Sequence, residues 1–411
     1  MRRKIFVRGP VLSQSGYGEQ SRFALRALKS REDLFDIYIQ PTPWGQTGWI
    51  WNNDEFRQWM DSRINLTSQM IANQTFQPDM SLQITIPNEF QKICPVNIGY
   101  TAGIETSMVA PVWLQKGNDM DKILVVSNHA KQTFVNTVVQ AKNNETGEVF
   151  PYKLNTPVEV VWESTPRAET ESIEGFELPY NFNFLMVSQI SPRKNFVNAL
   201  KWWVEEFIDQ EVGLILKSNI KCNSEMDFEA FHKSVGNLLS VYPDRKCKVH
   251  ILHGDLSAGQ MTGLYTHPKI KAIVNIAHGE GFGLPLFEAA REGLPVITIG
   301  WSGQVDFLTH EGEELFQKVD YTLNKVQPEA VWEGVIQADS QWAYSDQGSY
   351  KMTLRKTYKT WHKSKEKAEK LKSLLEVNFS EEKLFSLFVS NLLDNQAEVI
   401  EVLQEEVEVY E

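Results

Sequence analysis

Two carboxylates lie eight residues apart in the segment His278-Gly-Glu280-Gly-Phe-Gly-Leu-Pro-Leu-Phe-Glu288. The preceding run 271–277 is short, apolar and β-branched, which predicts a buried strand, and 286–291 continues as the first turns of a helix. We therefore expect Glu280 in a strand-to-helix loop and Glu288 on the helix. Because carboxylates accept hydrogen bonds from vicinal hydroxyls and a glycine-rich helix start binds phosphate, the segment predicts a ligand that carries both hydroxyls and a diphosphate. The alternative is a solvated loop acid followed by a first-turn acid that the helix dipole favours.

Two adjacent cations, Arg193 and Lys194, occupy a second strand-to-helix turn, between a predicted strand at 184–188 and an amphipathic helix at 198–207. Lysine carries a compact charge and arginine a planar fork, so the pair can clamp a diphosphate and neutralise a nucleoside diphosphate as it leaves. Paired basic residues near a helix start are also common by chance. The pair alone therefore does not distinguish a diphosphate site from a chance occurrence.

The first half of the chain places glycines and aromatic residues in loops. The segment Ser15-Gly16-Tyr17-Gly18 opens a helix, but it lacks the third glycine of a dinucleotide-binding fingerprint. Tyr100 and Glu105 follow another predicted strand, at the sheet edge where open α/β folds bind ligands. Trp44 belongs to a cluster of three Trp within 41–51, which predicts either a platform for sugars or unstacked bases or a lid without a ligand. The predicted acceptor contacts are Tyr17, Tyr100, Glu105 and Trp44.

Short apolar runs alternate with longer amphipathic ones, a pattern typical of parallel sheets with helical crossovers. Eleven strands are predicted, at 4–8, 36–40, 82–86, 96–100, 123–127, 158–162, 184–188, 213–217, 248–252, 272–276 and 295–299. The stretch 163–181 is polar, carries proline and follows neither periodicity, so it predicts a domain boundary. We expect domains at 1–172 and 173–375, followed by 376–411 with a helix capped by Ser380 and an acidic tail.

Size and composition fit a two-domain enzyme, since 411 residues exceed one ordinary core. No apolar run is long enough for a signal peptide or a membrane span, which predicts a cytoplasmic protein. Three scattered cysteines predict neither disulfides nor a zinc site. The net charge of −12 disfavours a generally cationic nucleic-acid binder, yet 351–372 holds nine Lys or Arg against two Glu. That run predicts either a solvated helix face or a contact with a polyanionic acceptor.

The segment from Glu280 to Glu288 resembles the E-x7-E signature of family 4 retaining glycosyltransferases. That family has the GT-B architecture, in which two Rossmann-like parallel-sheet domains face a central cleft and a C-terminal helix crosses back to the N-terminal domain. The resemblance implies a UDP-sugar or similar donor as co-substrate, with no metal and no tightly bound cofactor. It implies that Glu280 faces the donor sugar, with Arg193 and Lys194 as its catalytic partners, and that Glu288 holds the ribose. The further donor contacts that it implies are Gly281, Phe282, Gly283, Leu284, Gly16 and Gly303.

The chain departs from the family pattern at two places. Relatives carry Gly-Arg-Leu-x-x-x-Lys-Gly after the first strand of the second domain, and here Lys194 matches the lysine but Gln189 stands where the arginine is expected. We expect Arg193 to replace that contact. Relatives also place a histidine in a cleft loop, and none stands at the corresponding position here. His129 follows one strand later, where the alternatives are a substrate contact and a helix start.

The predicted activity is transfer of a sugar from a nucleoside diphosphate sugar to a hydroxyl acceptor, with retention at the anomeric carbon. The acceptor is either a saccharide or small molecule, or a hydroxymethylated base in DNA, as in some phage enzymes that the first-domain loops resemble. Two alternatives share the architecture. One is a sugar-nucleotide epimerase or phosphorylase, and the other is a sugar-nucleotide-binding protein without turnover.

Overall fold

The computed structural model describes residues 2–143 and 145–393. Its first half contains eight strands: β1 (Arg3–Gly9), β2 (Phe35–Pro41), β3 (Met80–Ile84), β4 (Val96–Thr101), β5 (Lys122–Val125), β6 (Val138–Lys142), β7 (Val149–Lys153) and β8 (Val158–Val160). Six of them form one parallel sheet in the order β2-β1-β3-β4-β5-β8, while β6 and β7 form an antiparallel hairpin. The helices of this half are α1 (Gly16–Lys29), α2 (Glu55–Ala72), α3 (Pro111–Gly117) and α4 (Asn128–Asn136).

The second half contains another six-stranded parallel sheet. Its strands and those around it are β9 (Asn183–Gln189), β10 (Gly213–Asn219), β11 (Lys248–Leu252), β12 (Ile270–Asn275), β13 (Val296–Ile299), β14 (Thr309–His310), β15 (Glu313–Glu314), β16 (Gln317–Val319), β17 (Tyr321–Lys325) and β18 (Gln341–Ser345). The parallel sheet has the order β11-β10-β9-β12-β13-β16, and β14–β15 and β17–β18 are antiparallel pairs. The helices are α5 (Phe196–Phe207), α6 (Glu225–Leu239), α7 (Ala258–Thr266), α8 (Leu284–Arg291), α9 (Val305–Leu308), α10 (Gln347–Lys359), α11 (Trp361–Asn378) and α12 (Glu381–Leu392).

Both sheets are buried on two faces, which explains why their strands are nearly continuous apolar runs. All five residues of β3 are buried, and Phe184 of β9 packs against Trp203 and Phe207 of α5 with ring centroids 6.2 and 5.3 Å apart. The amphipathic helix α5 thus covers the strand that leads into the Arg193–Lys194 turn.

The last helix returns to the first domain. Ser380 caps α12 by accepting a hydrogen bond from the backbone N–H of Lys383 at 3.3 Å. Phe385 and Phe388 of α12 pack against Phe23 of α1, at 5.7 and 5.9 Å. The apolar face of α12 that carries Phe385 and Phe388 therefore docks on the N-terminal domain.

The predicted fold class is confirmed, and each of the eleven predicted strands is present. The strands that periodicity did not indicate are the hairpins and the short edge strand β16. The predicted boundary segment 163–181 contains neither helix nor strand and joins β8 to β9, whereas the domain limits themselves stay predictions. The acidic tail lies outside the described residues. Within the described part of the chain, no helix is long and apolar enough to cross a membrane.

Candidate functional site

The order of the second sheet reverses between β9 and β12, so the chain leaves these two neighbouring strands in opposite directions. In parallel α/β sheets the crevice at such a reversal, at the carboxyl ends of the strands, is where ligands bind. Arg193 and Lys194 follow β9, and Glu280 follows β12. The topology therefore brings the predicted diphosphate clamp and the first predicted carboxylate to one place, although they are distant in sequence.

Glu280 is held as an anion by four donor contacts. Lys194 Nζ lies 2.6 and 2.7 Å from its two carboxylate oxygens, Arg193 Nη1 donates at 2.9 Å, and Asn275 Nδ2 donates at 2.7 Å. The Glu280 side chain is only 7% exposed. Burial alone would raise the pKa of Glu280, but Lys194 and then Arg193 outweigh it and bring the pKa to about 2. The carboxylate is therefore ionised across the physiological range.

The two cations differ in their surroundings. Arg193 also contacts the Gly279 carbonyl at 2.6 Å and the Glu105 carboxylate of the facing domain at 3.1 Å. Burial would lower the pKa of Arg193, yet Glu105 and Glu280 raise it. Burial and the neighbouring Arg193 lower the pKa of Lys194 below its ordinary value. Two cations thus face two carboxylates, and the five N–H groups of an arginine leave donors for a phosphate.

Gly279 and Gly281 lie against the backbone of the facing domain, and Gly303 lies against the backbone of Gly281. A Cβ on Gly279 would lie 2.8 Å from the Glu105 carbonyl oxygen, and one on Gly281 would lie 2.8 Å from that of Ala102. A Cβ on Gly303 would lie 1.8 Å from the Gly281 carbonyl oxygen. The loops of the two domains therefore pack so closely here that a side chain at these glycines would clash with the facing backbone. The predicted approach of Gly281 and Gly303 to a donor stays a prediction.

The neighbouring motif residues have distinct environments. Gly283 has φ +96°, a left-handed conformation that favours glycine at the start of α8. Phe282 is 2% exposed and packs against Phe287 and Phe307, so its side chain supports the loop from the core. Leu284 is half-buried as the first residue of α8. Their predicted donor contacts are not tested by this geometry.

Glu288 lies on α8, as predicted, and both carboxylate oxygens accept a hydrogen bond. Thr165 Oγ donates at 3.0 Å and the Tyr265 hydroxyl at 2.8 Å. Burial raises the pKa of Glu288 above its ordinary value, and the charge of Glu19 adds to this, while the bond from Tyr265 acts against it. Each oxygen keeps a free lone pair, so the group can still accept from a ligand hydroxyl.

The predicted acceptor residues of the first domain do not form one surface. Glu105 is paired with Arg193, and Tyr100 is fully buried, with its hydroxyl donating to the Val161 carbonyl at 3.1 Å. Trp44 stacks on Tyr17 at 4.3 Å, beside the start of α1. Trp49 and Trp51 of the same cluster are 61% and 78% exposed. Of the aromatic cluster, the two residues with the most open faces were not among the predicted contacts.

The glycine-rich first loop leaves room for a ligand. Ser15 caps α1, with its hydroxyl accepting from the Gly18 N–H at 3.1 Å. No described atom lies within 4 Å of the position that a Cβ on Gly16 would take. A helix start with an open glycine is suited to phosphate, and the expected donor contact of Gly16 stays a prediction.

A contact that sequence reasoning missed joins the domains at Asp306. Its Oδ2 accepts hydrogen bonds from the Asn128 backbone N–H at 2.8 Å, the Asn128 amide at 3.0 Å and the Trp162 indole N–H at 2.8 Å. His129 follows in the first turn of α4, with its ring 4.8 Å from Trp301. No local signal indicates these pairs, because each partner belongs to a different domain.

Four of the nine cations of the basic run 351–372, namely Lys351, Arg355, Lys365 and Lys370, form ion pairs among the described residues. Lys351 contacts Glu205 at 2.5 Å, and Arg355 contacts Glu206 at 2.6 Å. Lys370 pairs with Glu313. These pairs favour the reading of the run as a solvated, structural helix surface. In residues 2–143 and 145–393, no group of three His, Cys, Asp or Glu is arranged to hold a metal ion.

The chain is similar in structure to several two-domain transferases. Sucrose-phosphate synthase from Thermosynechococcus elongatus matches with a TM-score of 0.61 and 12% identity over 95% of this chain and 98% of that one. An α,α-trehalose-phosphate synthase (UDP-forming) from Burkholderia vietnamiensis matches with a TM-score of 0.58 and 10% identity, over 95% and 97%. HepE from Anabaena, in complex with UDP and glucose, matches with a TM-score of 0.56 and 10% identity, over 95% and 99%.

No protein-family model matches the chain, and no curated protein matches it in sequence. At these identities the structural likeness establishes the fold, which is the GT-B arrangement of two Rossmann-like domains.

Proposed function

We propose that the chain is a glycosyltransferase that moves a sugar from a nucleoside diphosphate sugar to a hydroxyl acceptor. The observation that carries this proposal is the Glu280 carboxylate, buried and ionised between Lys194 and Arg193 at the point where the second sheet reverses its strand order. Structural neighbours that cover nearly the whole chain include a UDP-forming synthase and a complex with UDP and glucose, which supports a UDP-sugar as the donor.

The donor would bind along this crevice. Its diphosphate would lie by Lys194, Arg193 and the open start of α1 at Gly16, and its ribose hydroxyls would donate hydrogen bonds to the carboxylate of Glu288. As the bond between the anomeric carbon and the phosphate oxygen breaks, the electron pair goes to the diphosphate, and the two cations stabilise that charge.

Glu280 would act on the sugar, where positive charge develops at the anomeric carbon. An ionised carboxylate nearby stabilises such an oxocarbenium-like state. The acceptor oxygen forms the new bond to that carbon, and its proton passes to the departing phosphate oxygen, as the resemblance to family 4 implies. A retaining outcome and membership in family 4 belong to this proposal.

For the acceptor, we propose a saccharide or a small molecule. The ion pairs of the basic run weaken the electrostatic support for DNA, because four of its cations, Lys351 and Arg355 among them, already have carboxylate partners. Hydroxymethylated DNA remains the second acceptor to be tested. The predicted cytoplasmic location stays a prediction.

The test is mass spectrometry of a panel of saccharides, small alcohols and hydroxymethylated DNA, each incubated with the protein and a set of nucleotide sugars. A mass increase of one sugar residue in an acceptor is the expected result. Glu280→Gln keeps the shape of the side chain and removes its charge, so turnover should fall about 100-fold or more. UDP affinity should not fall, since the change leaves Lys194 and Arg193 in place and removes a carboxylate that competes with the diphosphate for them.

The matched control is Glu229→Gln, which removes an exposed carboxylate on α6 and should leave turnover unchanged. Wild-type turnover by Glu280→Gln would contradict the assigned role. Binding of nucleotide sugars with no transfer to any acceptor would favour a binding protein, and conversion of the donor without an acceptor would favour an epimerase or phosphorylase.

A further inference from the structure

Three consecutive polar side chains are buried immediately after β8. Glu163, Ser164 and Thr165 are 5%, 2% and 7% exposed. Thr165 donates to Glu288, but the Oε2 of Glu163 and the hydroxyl of Ser164 have no hydrogen-bond partner among the described residues. Buried polar atoms are nearly always paired, so each exception calls for a ligand, a water or another explanation.

A third unpartnered group lies on the same side of the domain junction. Gln20 of α1 is 1% exposed, and neither its amide nitrogen nor its amide oxygen has a partner in the part of the chain that the structure describes. Glu163 acts electrostatically on the hydroxyl of Tyr100, and the Gln20 amide lies close enough to influence that hydroxyl as a hydrogen-bonding group, although the hydroxyl itself donates to the Val161 carbonyl. The orphaned atoms of Gln20 and Glu163 therefore share one wall of the first domain.

The surroundings of this wall are rich in acids. Burial, and then the charge of Glu19, raises the pKa of Glu163 to about 8. At neutral pH Glu163 is thus an uncharged acid that both donates and accepts a hydrogen bond. The titratable and charged groups around the 163–165 segment are Glu19, Arg22, Arg26 and Tyr17 of α1, Tyr100 of β4, Glu288 and Arg291 of α8, and Glu381 of α12.

The nearby cations already have partners. Arg22 binds Glu19 at 2.6 Å and two backbone carbonyls at 2.9 Å. Arg26 donates to the Ser164 carbonyl at 2.8 Å and lies 3.4 Å from Glu381. Arg291 donates to the Thr165 carbonyl at 2.5 Å. The three guanidinium groups of Arg22, Arg26 and Arg291 are balanced by the carboxylates of Glu19, Glu288 and Glu381. An anion would therefore gain no net positive charge, whereas an apolar group would leave the orphaned atoms unpaired. Neutral hydroxyls are the chemistry that suits them.

The position of the 163–165 segment indicates which ligand could supply those hydroxyls. Thr165 links the segment directly to Glu288, and the charge of Glu19 acts on both Glu163 and Glu288. The wall thus faces the carboxylate to which the proposed function assigns the ribose, next to the open start of α1.

We propose that Gln20, Glu163 and Ser164 form a subsite on the first domain that binds hydroxyls of a sugar ring opposite Glu288. This inference rests on the proposed function, because the ring is either the ribose of the donor or the sugar of the acceptor. The atoms are buried in the present arrangement, so the ring reaches them when the domains move apart and is enclosed when they close.

The experiment is isothermal titration calorimetry of the full chain with UDP and with 2′-deoxy-UDP, together with acceptor KM values. Gln20→Met and Glu163→Met replace unpartnered polar groups by apolar ones of similar length, so both variants should fold at least as well as wild type. Glu163→Gln keeps a donor and an acceptor and is the matched conservative control.

If the ribose is the ligand, both Met variants bind UDP at least tenfold more weakly, and their preference for UDP over the deoxy analogue shrinks. If the acceptor sugar is the ligand, UDP affinity is unchanged and the acceptor KM rises at least tenfold. In both cases Glu163→Gln stays within threefold of wild type at pH 7. The affected constant also worsens for wild type as the pH rises through about 8, but not for Glu163→Gln.

The inference is overturned if both Met variants keep wild-type UDP affinity and wild-type acceptor KM, because the orphaned atoms would then be satisfied by water alone. If wild type binds no nucleotide and transfers no sugar, the proposed function fails and the subsite fails with it. If wild type binds UDP and transfers a sugar while the Met variants match it, only the subsite fails.

Discussion

The replacement Glu163→Gln should stabilise the protein at neutral pH. The pKa of this carboxyl rises from its ordinary value of 4.5 to about 8 on folding, because the group is buried and lies near Glu19. Between these values the folded chain holds a proton that the unfolded chain releases. The stability contributed by the group is therefore fully present below pH 4.5 and is lost as the pH rises towards 8.

The size of the stability change follows from the difference between the pH and the ordinary pKa of the carboxyl group. Each unit above 4.5 costs about 1.4 kcal/mol until the pH reaches the folded pKa. At pH 7 the cost is about 3 kcal/mol, and above pH 8 it levels off near about 5 kcal/mol. Glutamine has the same shape and no proton to retain, so Glu163→Gln should recover about 3 kcal/mol at pH 7.

The assay is urea unfolding of wild type and Glu163→Gln at several pH values from 4.5 to 8.5, with the exposed-site variant Glu229→Gln as control. The two proteins should have nearly equal midpoints at pH 4.5, and the gap should widen with pH in favour of the variant. A gap that does not change with pH, or a variant that is less stable than wild type at pH 7, would refute the reasoning.

Three further outcomes are expected. Gly303→Ala should destabilise the fold by about 3 kcal/mol or more in thermal unfolding, because its Cβ would lie 1.8 Å from the Gly281 carbonyl oxygen. The control is Gly16→Ala, whose Cβ meets open space. Its stability should stay within about 0.5 kcal/mol of wild type in the same assay. Asp306→Ala leaves three donors of the facing domain without their acceptor. The free energy of unfolding should therefore fall by about 3 kcal/mol, and amide hydrogen exchange at the start of α4 should become faster. Unchanged exchange would count against this contact between the domains. Glu280→Ala leaves Lys194 without its carboxylate and Arg193 with Glu105 alone, so it should cost about 3–5 kcal/mol without ligand. UDP should raise its melting temperature more than that of wild type, and an equal rise would speak against phosphate binding by these cations.

Several features of the candidate site could be predicted because they depend on nearby residues. The strand before Glu280 and the helix that carries Glu288 follow from local periodicity, and Ser15 and Ser380 cap their helices through bonds within one turn. Contacts across the chain could not be predicted in this way. For Glu105, the sequence indicated only that the residue follows a strand. Its contact with Arg193 depends on how the two domains dock.

The sequence by itself determined the alternating strands and helices, and with them the two parallel sheets and the placing of Arg193, Lys194 and Glu280 in loops at their carboxyl ends. These features are local, because hydrophobic periods of 2 and 3.6 residues are written in consecutive positions. Only the tertiary structure decided which charges neutralise one another. It paired Lys194 with Glu280 and gave Lys351 and Arg355 of the basic run their own carboxylates. Among the described residues, it left the Gln20 amide and one carboxyl oxygen of Glu163 without a hydrogen-bond partner. Charge pairing and burial depend on distances of a few ångströms between elements far apart in the chain, and no short pattern of residues encodes those distances.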